Sequence, residues 1–109
     1  MAKTPEGAVK AKVKDYLKAR GIWHFMPVSN GMGVHGIPDI IAIIDGRFVG
    51  IECKAPGKRN NTSELQKQQI AAINAAGGLA IVVDDAEQLP ALLHPQPVRD
   101  ERQLELFEN

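Results

Sequence analysis

The sequence has little cysteine, no long apolar run and no excess of charge of either sign. Its single cysteine, Cys53, has no partner within the chain, which excludes an internal disulfide framework and a cysteine-rich metal site. No stretch approaches the roughly 18 consecutive apolar residues of a membrane span, and the first residues, MAKTPEGAVKAK, lack the apolar centre of a signal peptide. We therefore expect a soluble protein of a reducing, cytoplasmic compartment, with no membrane partner.

A formal net charge of zero argues against a protein that binds nucleic acid through charge alone. The charges are nevertheless unevenly distributed. Residues 1–67 hold eleven Lys or Arg against six Asp or Glu, whereas residues 68–109 hold two against seven. The first part of the chain could contact a polyanion, and ordinary solvated faces would give the same asymmetry. Charge alone leaves both interpretations open.

What the sequence does contain is enough apolar residues, 44% of 109, for one domain with one core. Apolar periodicity and capping residues predict an α/β fold in which a central mixed sheet is flanked by helices. The last residues, PQPVRDERQLELFEN, are rich in charge, so we divide the chain into a domain over 1–94 and a flexible tail over 95–109. The predicted elements are helices over 5–20, 64–76 and 86–93 and strands over 22–28, 37–44, 47–53 and 79–83.

The predicted hairpin GIPDIIAIIDGRFVGIECK carries Asp39, Glu52 and Lys54 among its apolar residues. Asp45-Gly46 is suited to a two-residue turn, because both positions tolerate a positive φ. Such a turn pairs the two strands so that Asp39 faces Glu52, and strand alternation places Lys54 on the same side. The apolar residues that alternate with them point into the core.

Two carboxylates that face each other across a sheet repel and need compensation. A divalent cation supplies it, and carboxylates with a carbonyl oxygen and waters suit Mg²⁺ or Mn²⁺ rather than zinc. A lysine beside the cation can hold or deprotonate a water, and it can neutralise charge on a phosphate. The pattern indicates metal-assisted phosphodiester hydrolysis. A lone Glu-x-Lys, by contrast, is more often surface charge.

Pro38-Asp39, followed after a hairpin by Glu52-Cys53-Lys54, resembles the PD-(D/E)XK nuclease superfamily. More specifically, GIPDIIAI, GIECKAPGKRNNTSELQKQQIAAINAAGG and the apolar strand that follows resemble the VRR-NUC domain, the virus-type replication-repair nuclease module. The resemblance covers residues 4–84. It implies a restriction-endonuclease-like αβββαβ core and a Mg²⁺-dependent endonuclease of a bacterial or phage-infected cell, in which Mn²⁺ substitutes.

The resemblance also implies a ligand set and a catalytic lysine. Asp39 and Glu52 would bind the metal together with the main-chain carbonyl of Cys53. Lys54 would orient or activate the attacking water. These residues are the ones that the hairpin register brings to one side.

Two further residues match the resemblance outside the hairpin. Glu6, on the inward side of the first helix, would reach the metal directly or through water. Gln66 would lie near the lysine and the scissile phosphate. It also fits a capping box with Ser63, a purely structural alternative.

Members of the resembled family that consist of this module alone imply a symmetric homodimer acting on branched DNA, with four-way (Holliday) junctions as the first expectation. A two-fold dimer places two basic faces on one substrate. The residues that we expect to contact DNA are Lys10, Lys14, His35 in the glycine-rich stretch 29–36, Lys58, Arg59 and Lys67.

The C-terminal segment QLELF resembles the pentapeptide with which proteins bind the bacterial sliding clamp. Short motifs of this kind work in disordered tails. The residues that would fill the clamp are Gln103, Leu104, Leu106 and Phe107. A short final helix that packs Leu104 and Phe107 on the domain is the alternative.

Three functions therefore stand at this point. The first is a structure-selective DNA endonuclease of replication, recombination or repair. The second is a catalytically idle nucleic-acid-binding module of the same fold, and the third is a nuclease subunit of a restriction or defence system. Asp39, Glu52 and Lys54 favour the first, because a module that only binds does not need facing acids.

Overall fold

The computed structural model describes residues 4–28 and 33–93. In chain order, the elements of these residues are α1 (Pro5–Ala19), β1 (His24–Phe25), β2 (Ile40–Ile44), β3 (Arg47–Cys53), α2 (Glu64–Ala75), β4 (Leu79–Val83), a 3-10 turn (Ala86–Gln88) and α3 (Leu89–Leu93). The strands form one mixed sheet in the order β1-β2-β3-β4, in which only β3 and β4 are parallel. The predicted α/β class, with the order αβββαβ and helices flanking the sheet, is confirmed. The predicted tail over 95–109 lies outside the described residues.

Helix α1 begins where its capping residues predict. Thr4 Oγ1 accepts a hydrogen bond from the N–H of Gly7 at 3.0 Å. Pro5 occupies the first helical position, where a missing N–H costs no hydrogen bond. The side of α1 that faces the sheet is formed by the buried residues Val9, Val13 and Leu17.

The β2-β3 hairpin has the predicted register. Asp45 and Gly46 both have positive φ, 53° and 76°, as the two central residues of a tight hairpin turn require. The paired residues run from Ile44 opposite Arg47 to Ile40 opposite Ile51. The next positions in this register are those of Asp39 and Glu52.

Three elements differ from their predictions by more than the one residue at the C-terminal ends of α1 and α2. β2 begins at Ile40 rather than at residue 37, because Pro38 has no N–H to give to the ladder. β1 is two residues long and does not span 22–28, since it is an edge strand that, among the described strands, pairs with β2 alone. The helix predicted over 86–93 begins as the 3-10 turn.

The core lies between one face of the sheet and the helices α1 and α3. Its members include Ile40, Ala42, Ile44, Val49, Ile51, Cys53, Val83, Leu89 and Leu93. Helix α2 lies on the opposite face, where Ile73 approaches Gly50 and Gly78, but no residue of α2 is buried. Across the described ranges, we find no helix with the length and apolar character needed to cross a membrane.

Candidate active site

The candidate site lies where the β2-β3 ladder ends. The main-chain pairing of β2 with β3 ends at Ile40, and one residue earlier the side chain of Asp39 bonds to β3 instead. Its Oδ2 accepts a hydrogen bond from the N–H of Cys53 at 3.0 Å, and such a bond fixes the direction of the carboxylate. With 25% of its side chain exposed, Asp39 also remains accessible from solvent.

Glu52 supplies the second carboxyl group. It is 3% exposed and is the only polar or charged residue that is buried among those described. Burial raises the pKa of Glu52 to about 8, helped by a hydrogen bond to Asp39 and by the charge of Asp39, while Lys54 acts in the opposite direction. At neutral pH the Glu52 carboxyl group therefore keeps its proton.

Asp39 and Glu52 thus meet as the turn register predicts, although Asp39 precedes β2 and is not part of it. Cys53, which follows Glu52, points to the other face and lies in the core. Burial raises the pKa of the Cys53 thiol to about 12. Cys53 consequently contributes to the site only through its main chain.

Gln66, in the first turn of α2, holds Lys54 in place. Lys54 Nζ donates a hydrogen bond to Gln66 Oε1 at 3.0 Å, and the same oxygen accepts one from the N–H of Ser63 at 3.0 Å. The N–H of Gln66 donates in turn to Ser63 Oγ at 3.1 Å, which completes a capping box. The structural and the lysine-binding roles of Gln66 are therefore compatible, because the cap fixes the oxygen that orients the ammonium group.

Lys10 belongs to the site more directly than its expected role as a DNA contact implies. Its Nζ lies 3.6 Å from Asp39 Oδ1, and 25% of its side chain is exposed. Lys10 follows Glu6 by one helical turn and shares its side of α1, but its pairing with Asp39 depends on how α1 packs and could not be predicted from the sequence. Glu6 is itself near enough for its charge to raise the pKa of Glu52.

The donor set fits a hard divalent cation. Asp39 and Glu52 place two carboxyl groups beside each other, and Lys10, 3.6 Å from Asp39, supplies positive charge next to them. Within residues 4–28 and 33–93, no three His, Cys, Asp or Glu side chains form a group that could hold a metal ion. A cation at this pair would take its other ligands from main-chain oxygen and water, as Mg²⁺ commonly does.

Basic residues line a hollow beside α2. Arg59 and Lys67, together with Asn60 and Thr62, border an open cavity of about 540 Å³. Lys67 Nζ also lies 3.4 Å from Glu64 Oε1, in a pair that is exposed to solvent. Arg59 also lines a neighbouring hollow with Asp84 and helps to lower the pKa of that carboxyl group, so acidic side chains partly offset both basic residues.

The remaining residues predicted to contact DNA are exposed, and those predicted to contact a sliding clamp lie outside the described part of the chain. Lys14, His35 and Lys58 are exposed. The clamp-binding residues Gln103, Leu104, Leu106 and Phe107 lie outside the described residues, so that prediction stays a prediction.

Asp84 supports the segment that follows Lys54, a role that the sequence did not indicate. Its Oδ2 accepts a hydrogen bond from the N–H of Gly57 at 2.8 Å, and its Oδ1 accepts one from Gln88 Nε2 at 2.6 Å. These two bonds lower the pKa of Asp84. An aspartate after an apolar strand is an ordinary turn residue, so no motif marks it.

The interpretation of this site rests on its own chemistry. In comparisons with known proteins, the chain matches no protein-family model and no curated protein. The contacts of Asp39, Glu52, Lys54 and Gln66 are therefore the observations from which a function is inferred.

Proposed function

We propose that this protein is a Mg²⁺-dependent DNA endonuclease of the PD-(D/E)XK superfamily, with a VRR-NUC module that hydrolyses phosphodiester bonds in branched DNA such as four-way junctions. The observation that carries the proposal is the placement of Asp39 beside the buried Glu52, next to a Lys54 ammonium group that Gln66 holds. A protein that only binds nucleic acid gains nothing from such a pair, because it costs stability and repels phosphate.

Asp39 and Glu52 would hold Mg²⁺, or Mn²⁺ in its place, together with the carbonyl of Cys53. When bound, the cation would supply charge stabilisation to the phosphate and lower the pKa of a water molecule. Glu52 must lose its proton before it can serve as a ligand. Glu6, in the first turn of α1, would reach the cation directly or through a water molecule.

Lys54 would act on the reacting atoms. Its ammonium group has a direction fixed by Gln66, so it can hold a water or donate to a phosphate oxygen without prior rearrangement. A preorganised donor of this kind contributes more than a mobile surface lysine. Arg59, Lys58, Lys14 and His35 would bind phosphates away from the reacting bond.

A cleavage assay tests the proposal. Labelled four-way junctions, flaps and linear duplex are incubated with Mg²⁺, Mn²⁺ or Ca²⁺, and products are resolved on denaturing gels. We expect cleavage with Mg²⁺ and Mn²⁺, a loss of roughly 10²-fold or more in Lys54→Ala, and a larger loss in Asp39→Ala. The matched control is Lys18→Ala, which removes an exposed lysine from the last turn of α1 and should leave the rate unchanged.

Two results would contradict the proposal. The first is a folded wild-type protein that cuts none of the substrates with either cation, and the second is a pair of site variants that cut as fast as Lys18→Ala. Binding of junctions without cleavage would favour the idle nucleic-acid-binding module. Circular dichroism of each variant confirms that loss of activity is not loss of fold.

The sliding clamp is a separate proposed partner. The motif lies in residues 103–107, so deletion of these residues should abolish retention on an immobilised bacterial clamp and leave cleavage unchanged. Unchanged retention after the deletion would rule the clamp out as a partner of this segment.

A further inference from the structure

Lys10 forms an ion pair inside the candidate site instead of one along its own helix. Glu6 lies one turn before Lys10 in α1, and an acid in that position is the ordinary partner of a lysine on a helix surface. The Lys10 ammonium group nevertheless lies 3.6 Å from Asp39 Oδ1, and among the described residues it pairs with no other carboxylate. The packing of α1 against the sheet thus favours Asp39 over Glu6 as the partner of Lys10.

The two carboxylate oxygens of Asp39 have different partners. Oδ2 accepts the hydrogen bond from the N–H of Cys53 at 3.0 Å, and this bond ties Asp39 to the end of β3. Oδ1 faces the ammonium group of Lys10, a flexible side chain that is 25% exposed. A partly exposed ion pair of this kind is weak. Oδ1 is therefore the oxygen that Asp39 can give to another cation with the least loss.

The second lysine of the site is held differently. Lys54 Nζ donates to the neutral amide oxygen of Gln66, and no described carboxylate lies within ion-pair distance of it. A cation at Asp39 consequently leaves the contact of Lys54 in place, whereas it competes with Lys10 for the same oxygen. An ammonium group and a divalent cation on one carboxylate oxygen repel each other. Lys10 is thus the group that has to move when the cation binds.

We propose that Lys10 is an internal counter-ion of Asp39 that a divalent cation displaces, and that the released ammonium group then binds a phosphate of the nucleic acid. This inference rests on the proposed function for its cation and its substrate. The released side chain stays attached to α1 at the edge of the site, where a phosphate replaces the carboxylate as its partner. Cation and nucleic acid therefore bind cooperatively through one side chain.

Cation affinity in the absence of DNA tests the displacement. Isothermal titration calorimetry of the full chain with Mn²⁺, at one fixed pH, should show binding at least about threefold tighter in Lys10→Met than in the wild type, because the competing charge is gone. Lys10→Arg keeps the charge and should bind Mn²⁺ within about twofold of the wild type. Asp39→Asn should lose the binding heat, which assigns it to this site.

The matched control is Lys18→Met, which removes the same charge from the exposed last turn of α1. Since exposed charges are screened by salt, it should change Mn²⁺ affinity by less than about 1.5-fold at physiological ionic strength. Circular dichroism establishes that each variant is folded. A difference between Lys10→Met and Lys18→Met then reports the contact with Asp39 and not the net charge.

Junction binding tests the second half of the proposal. Lys54→Ala serves as the background in which labelled four-way junctions stay intact, and fluorescence anisotropy gives the dissociation constant in EDTA and in Mg²⁺. The gain in affinity from Mg²⁺ should be at least about threefold smaller when Lys10→Met is added to this background, because the cation then releases no ammonium group. Adding Lys18→Met instead should leave the gain unchanged.

Three results would overturn the inference while the proposed endonuclease stands. They are Mn²⁺ binding in Lys10→Met that equals binding in Lys18→Met, Mn²⁺ binding that is weaker in Lys10→Met than in the wild type, and a gain from Mg²⁺ that does not depend on Lys10. Failure of the proposed function looks different. A wild type that binds Mn²⁺ more weakly than Lys10→Met but cuts no DNA keeps the displacement and contradicts the endonuclease. A wild type that binds no Mn²⁺ would overturn both.

Discussion

Glu52 is held in its protonated form by the same contacts that make it a candidate ligand. Its pKa rises from the ordinary value of 4.5 to about 8 because it is buried and hydrogen-bonded to Asp39. Between these two values the folded chain binds more protons at this group than the unfolded chain does. The contribution of this group to stability is therefore complete below the ordinary pKa and is lost as the pH rises through the folded pKa.

This proton gives a stability prediction. In EDTA, the melting temperature of the wild type should fall by roughly 5 °C or more between about pH 5 and about pH 8, and Glu52→Gln should remove most of that fall. Mg²⁺ should stabilise the wild type more at the higher pH, where no proton has to be displaced. Calorimetric melting curves provide the measurement. Equal pH dependence in the two proteins would show that Glu52 does not titrate as described.

Gln66 gives a second prediction at the scale of one residue. Gln66→Ala removes the oxygen that accepts from Lys54 and from the N–H of Ser63, whereas Ser63→Ala removes only the hydroxyl that accepts from the N–H of residue 66. Each should cost about 1 kcal/mol in the free energy of unfolding. Only Gln66→Ala should also lower the cleavage rate, by roughly tenfold or more. Urea melts and single-turnover cleavage separate the two effects. Equal cleavage rates in both variants would show that Gln66 serves only to cap α2.

At the scale of elements, α2 and the segment before β2 approach each other closely at Gly36. A Cβ at this position would lie 2.5 Å from the main-chain carbon and oxygen of Leu65, and the φ of Gly36 is +84°. Only glycine accepts both constraints. This contact sets the distance between the segment that carries Asp39 and the helix that carries Gln66.

Gly36→Ala should therefore destabilise the fold by roughly 2 kcal/mol or more and lower cleavage as well, since backbone atoms cannot move aside as a side chain can. Gly33→Ala is the matched control, because a Cβ there meets no atom within 4 Å. It should change stability by less than about 0.5 kcal/mol. Thermal melts of both variants measure the difference. A small loss of stability in Gly36→Ala would mean that the segment before β2 shifts freely relative to α2.

At the scale of the whole molecule, the sequence predicted topology better than it predicted side-chain partners. A two-residue turn determines register, so the meeting of Asp39 and Glu52 followed from Asp45-Gly46 alone. The pairing of Lys10 with Asp39 depends on how α1 packs across the sheet, which periodicity does not give. The exposure of Trp23, Phe25 and Phe48 could not be predicted for a related reason. Alternation marks two faces of a strand, but only packing tells how much of a face a helix covers.

The site draws on parts of the chain that are distant in sequence. Lys54 is tied through its N–H to the carbonyl of Val83 at 2.8 Å and through its Nζ to Gln66, while Asp39 is bonded to Cys53. Contacts of such separation form late, because each closes a long loop. During synthesis, the lysine therefore has its neighbours only after β4 has left the ribosome and docked. A chain that ends before β4 lacks the carbonyl of Val83 that holds the main chain of Lys54, so in the proposed nuclease it would not have the lysine in position and would not cut nucleic acid.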